Sequence, residues 1–132
     1  MAAVVYVKFK EEMWKGTYNV NSGNLKLVLV DTGAYTYSSS HQFLSDVPSG
    51  ARIATSGNLS SKTFTNGTLD ADNPTLTGVT GTTVEAVIYY LDTGVAGTSP
   101  LIMYDDSLTG LPFTPNGGDV TITFNASGIV TL

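Results

Sequence analysis

The chain has 132 residues, no cysteine, 42% hydrophobic and only 13% charged residues, and a formal net charge of −5, whereas charged residues make up about 25% of an average globular chain. Those totals fit one domain over 1–132; they exclude disulfides, cysteine-held zinc, iron–sulfur clusters and thiol catalysis, and disfavour nonspecific binding to nucleic acid. No apolar run approaches the roughly 20 residues that span a bilayer, and Met1 to Phe9 lacks the basic start and long apolar core of a signal peptide, so the expectation is a soluble chain made in a cytoplasm.

Ala2 to Lys15 is the one helix-compatible stretch. Tyr6, Phe9, Met13 and Trp14 recur at helical spacing with Lys8, Glu11, Glu12 and Lys15 between them, a short amphipathic stripe. Gly16 is placed to stop it. Ala2-Ala3-Val4-Val5 also reads as extended, so a strand followed by one or two helical turns is an alternative. Residues 1–20 are therefore expected as an N-terminal arm or short helix packed on the body. Its apolar residues either lid the core or dock on a partner subunit.

Asn24 to Val30 is a strong strand, with Leu25, Leu27 and Leu29 on one face by two-residue alternation. Ala34 to Pro48 is a long loop in which Ser40 is a candidate cap for one helical turn through Leu44. Its Tyr35, Tyr37 and Phe43 suit either a contact surface or a loop folded over a core edge. Arg52 to Thr55 and Leu59 to Phe64 are strand candidates, the second closed by the tight-turn pair Asn66-Gly67. Thr75 to Thr77 is another short strand.

Val84 to Leu91 and Leu101 to Tyr104 are apolar runs joined by a connection rich in turn formers. They predict a β-hairpin with a long loop. The first run is apolar on both faces, as in a central strand covered on both sides, and this hairpin is expected at the middle of the core. Val120 to Phe124 alternates cleanly, and Asn125 to Gly128 turns it toward Ile129 to Leu132, predicting a final hairpin. About eight short strands with turn signals at this spacing imply an all-β chain, a β-sandwich of jelly-roll or immunoglobulin-like type.

All six cations lie at or before Lys62, giving residues 1–62 a charge of +2 and the rest −7. One face of the molecule is then weakly basic and the other acidic, unless the strands of the two halves interleave. Chemistry is sparse. His41 lies beside Ser38, Ser39, Ser40 and Asp46, but side chains so close along one loop rarely adopt triad geometry, and no Gly-x-Ser-x-Gly turn exists. Asp70/Asp72 and Asp105/Asp106 are paired carboxylates. Asp70-Ala71-Asp72 begins like a calcium loop without its glycine or distal glutamate, and turn chemistry accounts for it. No catalytic residue, cofactor or metal site is expected.

Several segments together resemble a family of small virion proteins from tailed bacteriophages. They are Val7-Lys8-Phe9-Lys10-Glu11-Glu12 with Lys15-Gly16, Leu25 to Thr32, His41-Gln42-Phe43-Leu44-Ser45-Asp46-Val47-Pro48 and Lys62-Thr63. Tyr89 to Gly94, Ser99-Pro100-Leu101-Ile102, Gly110 to Gly118 and Gly128 to Leu132 complete the set, which spans nearly the whole chain. The resemblance implies a non-enzymatic capsid cement or decoration protein on the virion's outer shell. Its partner would be the major capsid protein, and it would act as a homo-oligomer, dimer or trimer, with no nucleic acid or membrane bound. Phe9, Trp14, Tyr35, Tyr37 and Phe43 are the candidate contact residues. Two other readings stay open: a tail or fibre component with a receptor-binding β-module, and a small β-sandwich glycan hydrolase with dispersed carboxylates.

Overall fold

The computed structural model describes residues 3–132, so the Ala2 end of the predicted arm lies outside the described residues. Along the chain come β1 (Val4–Val5), helix α1 (Val7–Trp14), β2 (Asn24–Val30), β3 (Arg52–Thr55), β4 (Thr63–Thr65) and β5 (Thr68–Asp70). Then follow β6 (Thr75–Leu76), β7 (Ala86–Asp92), β8 (Leu101–Asp105), β9 (Val120–Thr121) and β10 (Val130–Thr131). The strands form three antiparallel sheets: a five-stranded one in the order β1-β8-β7-β2-β3, a three-stranded one in the order β10-β5-β4, and the pair β6-β9.

The expected central hairpin is β7 and β8, and β7 is the middle strand of the large sheet. Its six residues Ala86 to Leu91 are each at most 6% exposed, which is why both faces of the sequence had to be apolar. β2 pairs with β7 over its whole length, from Asn24 opposite Asp92 to Val30 opposite Ala86. Leu25, Leu27, Val28, Leu29 and Val30 are fully buried there. Lys26 is kept in this strand by a diagonal ion pair, its Nζ 2.7 Å from Asp92 Oδ2. That bond, with the Gly94 N–H on the other oxygen, holds the Asp92 carboxyl below its ordinary range.

The N-terminal segment is the strand-then-helix alternative: β1 pairs with the edge of β8, and α1 follows one residue later. Tyr6, between them, is fully buried, and Phe9 is the helix's one buried residue. Gly16 ends the helix at φ 74. The Gly16 N–H reaches Met13 O and the Thr17 N–H reaches Glu12 O, the paired bonds of a Schellman stop.

Two expectations are corrected. The predicted final hairpin does not form. Ile122 and Phe124 bury their side chains, and their N–H groups are taken by Pro74 O and the Asn73 Oδ1. β9 therefore pairs with β6, while β10 pairs with β5. Gly128 makes the diversion possible: it sits at φ 106 with Thr68 pressed so close that a Cβ would collide with its methyl group. The second correction concerns Leu59 to Phe64, of which only the Thr63 to Thr65 end is strand. Leu59 drops into the core, and Lys62 Nζ instead gathers the carbonyls of Val20, Asn21 and Gly23. The Asn66-Gly67 signal holds, with both residues at positive φ joining β4 to β5.

One hydrophobic cluster runs through the molecule from Tyr6 to Phe124. Residues of the smaller sheets (Leu69, Leu76) and of the segment after β9 (Ile122, Phe124) belong to it, and the Phe124 ring lies 5.9 Å from that of Tyr89 on β7. Among the described residues no helix is long and apolar enough to cross a membrane.

Candidate contact surface

Helix α1 divides its aromatic residues. Phe9 turns inward and stacks on Tyr18 at 5.9 Å. Trp14, at the last helical position, points away and is 91% exposed. Two further large apolar side chains are open nearby, Phe64 on β4 at 48% and Leu132 after β10 at 65%. Met13 and Leu132 are shared by two adjoining hollows. One, about 270 Å³, runs from Phe9 and Val20 to Phe64 and Val130, and its wall is almost wholly apolar. The other, about 530 Å³, is walled by Val5, Lys10, Met13, Trp14, Thr131 and Leu132. Together they form an apolar groove between the helix and the β10-β5-β4 sheet. Contiguous exposed apolar surface of this kind marks interaction sites more often than single exposed residues do.

Charge around the groove is sparse. Lys8 and Lys15 face Glu11 and Glu12 at 3.5 and 3.7 Å along the helix. Lys10, at the groove wall, has no ion-pair partner among the described residues. A cation and an indole therefore stand side by side at the rim.

Of the two roles expected for the loop over residues 34–48, the structure shows the loop folded over a core edge. Tyr35 is 4% exposed. Its hydroxyl lies 2.8 Å from the Tyr6 hydroxyl and 2.8 Å from His41 Nδ1, so three polar groups from two distant segments satisfy one another inside the protein. Burial pushes the Tyr35 phenol up to about 12, against the pull of the Tyr6 bond, and pushes Tyr6 higher still. Tyr37 is half-buried with its ring centre 5.1 Å from Tyr6 and 5.9 Å from Tyr104. Phe43 is half-buried and bridges to Pro100, while the Leu44 N–H bonds Ser99 O and the Leu101 N–H bonds Gln42 O. The loop is thus stitched to the start of β8.

Of the candidate contact residues, then, Phe9 and Tyr35 are core residues whose contacts are made within the chain. Tyr37 and Phe43 spend much of their surface internally, and Trp14 alone is fully presented. The loop's one helical turn also differs from expectation. It covers Leu44–Asp46, and Ser40 does not cap it. The Asp46 carboxylate does so from the far end, accepting the N–H groups of Gln42 and Phe43 at 2.8 and 3.1 Å. Burial works against the Asp46 charge, but those two bonds outweigh it and hold the carboxyl below its ordinary range.

No triad assembles in this loop. His41 is engaged with Tyr35, Asp46 with backbone, and Ser38 with Ser40. At the other carboxylates, Asp70 Oδ1 accepts the Ala71 N–H, and Asp105 Oδ1 accepts the N–H and Oγ–H of Ser107. Among the described residues no group of three histidine or carboxylate side chains is placed to hold a metal ion. The groove was missed in the sequence because Phe64 and Leu132 come from strands far from Trp14. Only the nearly complete exposure of an indole marks it.

The chain matches no protein-family model, and no curated protein matches it.

Proposed function

We propose that this chain is a non-enzymatic virion protein of a tailed bacteriophage that binds the outer capsid surface and bridges neighbouring major capsid subunits. The reading rests on the family resemblance of the motifs from Val7 to Leu132. The structural observation that favours it is the groove beside Trp14. An apolar surface held open on a well-packed body is what a clamp needs: the body supplies rigidity, and a buried indole supplies the anchor. Fully burying an exposed Phe or Leu contributes about 1.5–3 kcal/mol, so Trp14, Phe64 and Leu132 are the groove residues with the most apolar surface left to bury against a partner.

On this reading the two smaller sheets close over one face of the large sheet as a two-layer sandwich, with Tyr89 against Phe124 as one of the interlayer contacts. In the large sheet strands from the basic half flank those from the acidic half, so charge is not divided between two faces as the sequence suggested; the helix end, with Lys8, Lys10 and Lys15, is the side that faces the capsid. The chain acts on the virion surface after synthesis in the host cytoplasm, as a dimer or trimer.

The test is a count. Mass spectrometry of purified virions, with immunogold labelling against the protein, is expected to find it on the head in hundreds of copies. A handful of copies, on the tail, would replace this reading with the receptor-binding one.

A further inference from the structure

On the side of the molecule where the segment after β9 crosses β7 and β8, a cleft of about 670 Å³ opens, its wall including Tyr89, Asp105, Ser107, Thr123, Phe124 and Asn125. Two of these residues are left incomplete. Tyr89 is 1% exposed, and its hydroxyl is the one buried side-chain polar atom among the described residues with no hydrogen-bond partner. Asp105 is 6% exposed; its Oδ1 takes both bonds from Ser107, and its Oδ2 takes none among the described residues.

The sheet puts the two together. Asp105 lies opposite Val87 across the β7–β8 ladder, so Tyr89, two residues on, is its diagonal neighbour on the same face. Burial first, and then the Asp105 charge, push the Tyr89 phenol far above its ordinary value, so it stays a neutral hydroxyl.

Asp105 Oδ2, unpartnered among the described residues, is not closed off from solvent, and a carboxylate oxygen facing a cleft is matched best by a cationic donor. Among the described residues the cleft wall has no Lys, Arg or His, and the chain has no Lys or Arg after Lys62. An anionic ligand would meet Asp105 unfavourably. A neutral hydroxyl would leave its charge uncompensated. An ammonium group supplies three donors and a positive charge on a narrow stem. It can give one bond to Asp105 Oδ2; the Tyr89 oxygen, closed to solvent in this structure, accepts a second only when the cleft wall opens.

We propose that this cleft binds an alkylammonium group, the head of a lysine side chain presented by a partner protein. The proposal rests on the reading above only for who the partner is: the capsid subunit. The chemistry of the cleft is independent of it.

The experiment is an NMR titration of the ¹⁵N-labelled chain with n-butylammonium chloride, run beside sodium chloride at equal ionic strength and beside glucose. Saturable shifts are expected at the amides of Tyr89, Asp105, Ser107, Thr123 and Asn125 with the amine alone. Asp105→Asn should weaken binding at least about tenfold, as loss of a charge-assisted bond does. Tyr89→Phe, which keeps the packing, should weaken it by a smaller factor and decides the matter if Asp105→Asn fails to fold. No saturable shifts, equal shifts with sodium chloride or glucose, or unchanged affinity in a folded variant would overturn the site. Capsid binding by the same variants separates the two claims. If the amine binds but Asp105→Asn leaves capsid affinity unchanged, the partner lysine is wrong. If the amine binds and the wild-type protein ignores capsids, the proposed function falls while the cleft's chemistry stands.

Discussion

The large sheet and the helix end solve opposite problems with similar residues. In β7 and β2, aromatic and aliphatic side chains on both strand faces are enclosed, and the one intruding cation, Lys26, is matched to Asp92. At the helix end, Trp14, Phe64 and Leu132 are comparably apolar, yet they are left open around a groove. Apolar content by itself does not distinguish the two regions; what differs is whether the chain's own strands reach far enough to cover it. The β10-β5-β4 sheet is short, and β4 has all of its residues exposed, so the groove stays uncovered. The contrast separates residues that hold the body together from those left uncovered, and substitutions in the two regions should differ in effect.

The largest effect belongs to the enclosed region. Ile88→Ala, at the centre of β7 and fully buried, is expected to cost about 2–5 kcal/mol through lost burial and the cavity left behind, measured by denaturant unfolding. A loss below about 1 kcal/mol would show that β7 is not the core strand described. Next comes Gly128→Ala, which forces a side chain against Thr68 at positive φ. It should cost about 1–3 kcal/mol and release protection of the Ile129 and Leu132 amides in hydrogen exchange, since these donate to Leu69 O and Gly67 O where the chain turns back along β5.

Two of the buried tyrosines, Tyr6 and Tyr89, should then move in opposite directions. Tyr6→Phe removes a hydroxyl bonded to Tyr35 and should cost about 0.5–1.5 kcal/mol. Tyr89→Phe removes a hydroxyl that has no partner among the described residues, and in the free protein should gain about 1 kcal/mol. Thermal melts of both variants against wild type check the pair; changes of equal sign would contradict the hydrogen-bond assignment.

Smaller again is the acid dependence. Asp31, Asp46 and Asp92 all titrate below their ordinary range in the folded protein. Thr82 and the Gly33 N–H do this for Asp31, the backbone bonds from Gln42 and Phe43 for Asp46, and Lys26 for Asp92. Because their folded values are lowered, the unfolded chain takes up protons first. The stability they contribute is complete above the ordinary aspartate value of about 3.9 and is lost as pH falls through and below it. Lys26→Met should reduce that acid sensitivity, as read from melting temperature against pH.

Strand periodicity alone makes the large sheet legible in the sequence. β2 occupies the run from Asn24 to Val30, and the β7–β8 hairpin lies where two apolar segments flank a Gly-rich connection. Those strands are long and fully enclosed, so alternation and burial agree. The end of the chain was not legible in the same way. Val120 to Phe124 alternates well, yet its backbone donors go to Asn73 and Pro74, a long-range choice that no local pattern encodes. For the loop over 34–48 composition leaves two roles open, and a related long-range contact decides between them. Tyr35 and Tyr37 have the composition of a contact surface, but Tyr6, some thirty residues earlier, supplies the buried hydroxyl and ring that draw them in. Trp14 could be placed on a helix from spacing; that it faces outward depends on Phe9 having taken the inward side.

If the groove beside Trp14 serves a partner while the large sheet serves the fold, one substitution should separate the two. Trp14→Ala tests it most directly, by sedimentation with purified capsids alongside a thermal melt. The expected result is a melting temperature within about 2 °C of wild type, because an exposed substitution changes stability by no more than about 0.5 kcal/mol, with capsid affinity reduced at least about tenfold. Unchanged capsid affinity, or a melting temperature that falls as far as that of Ile88→Ala, would contradict it.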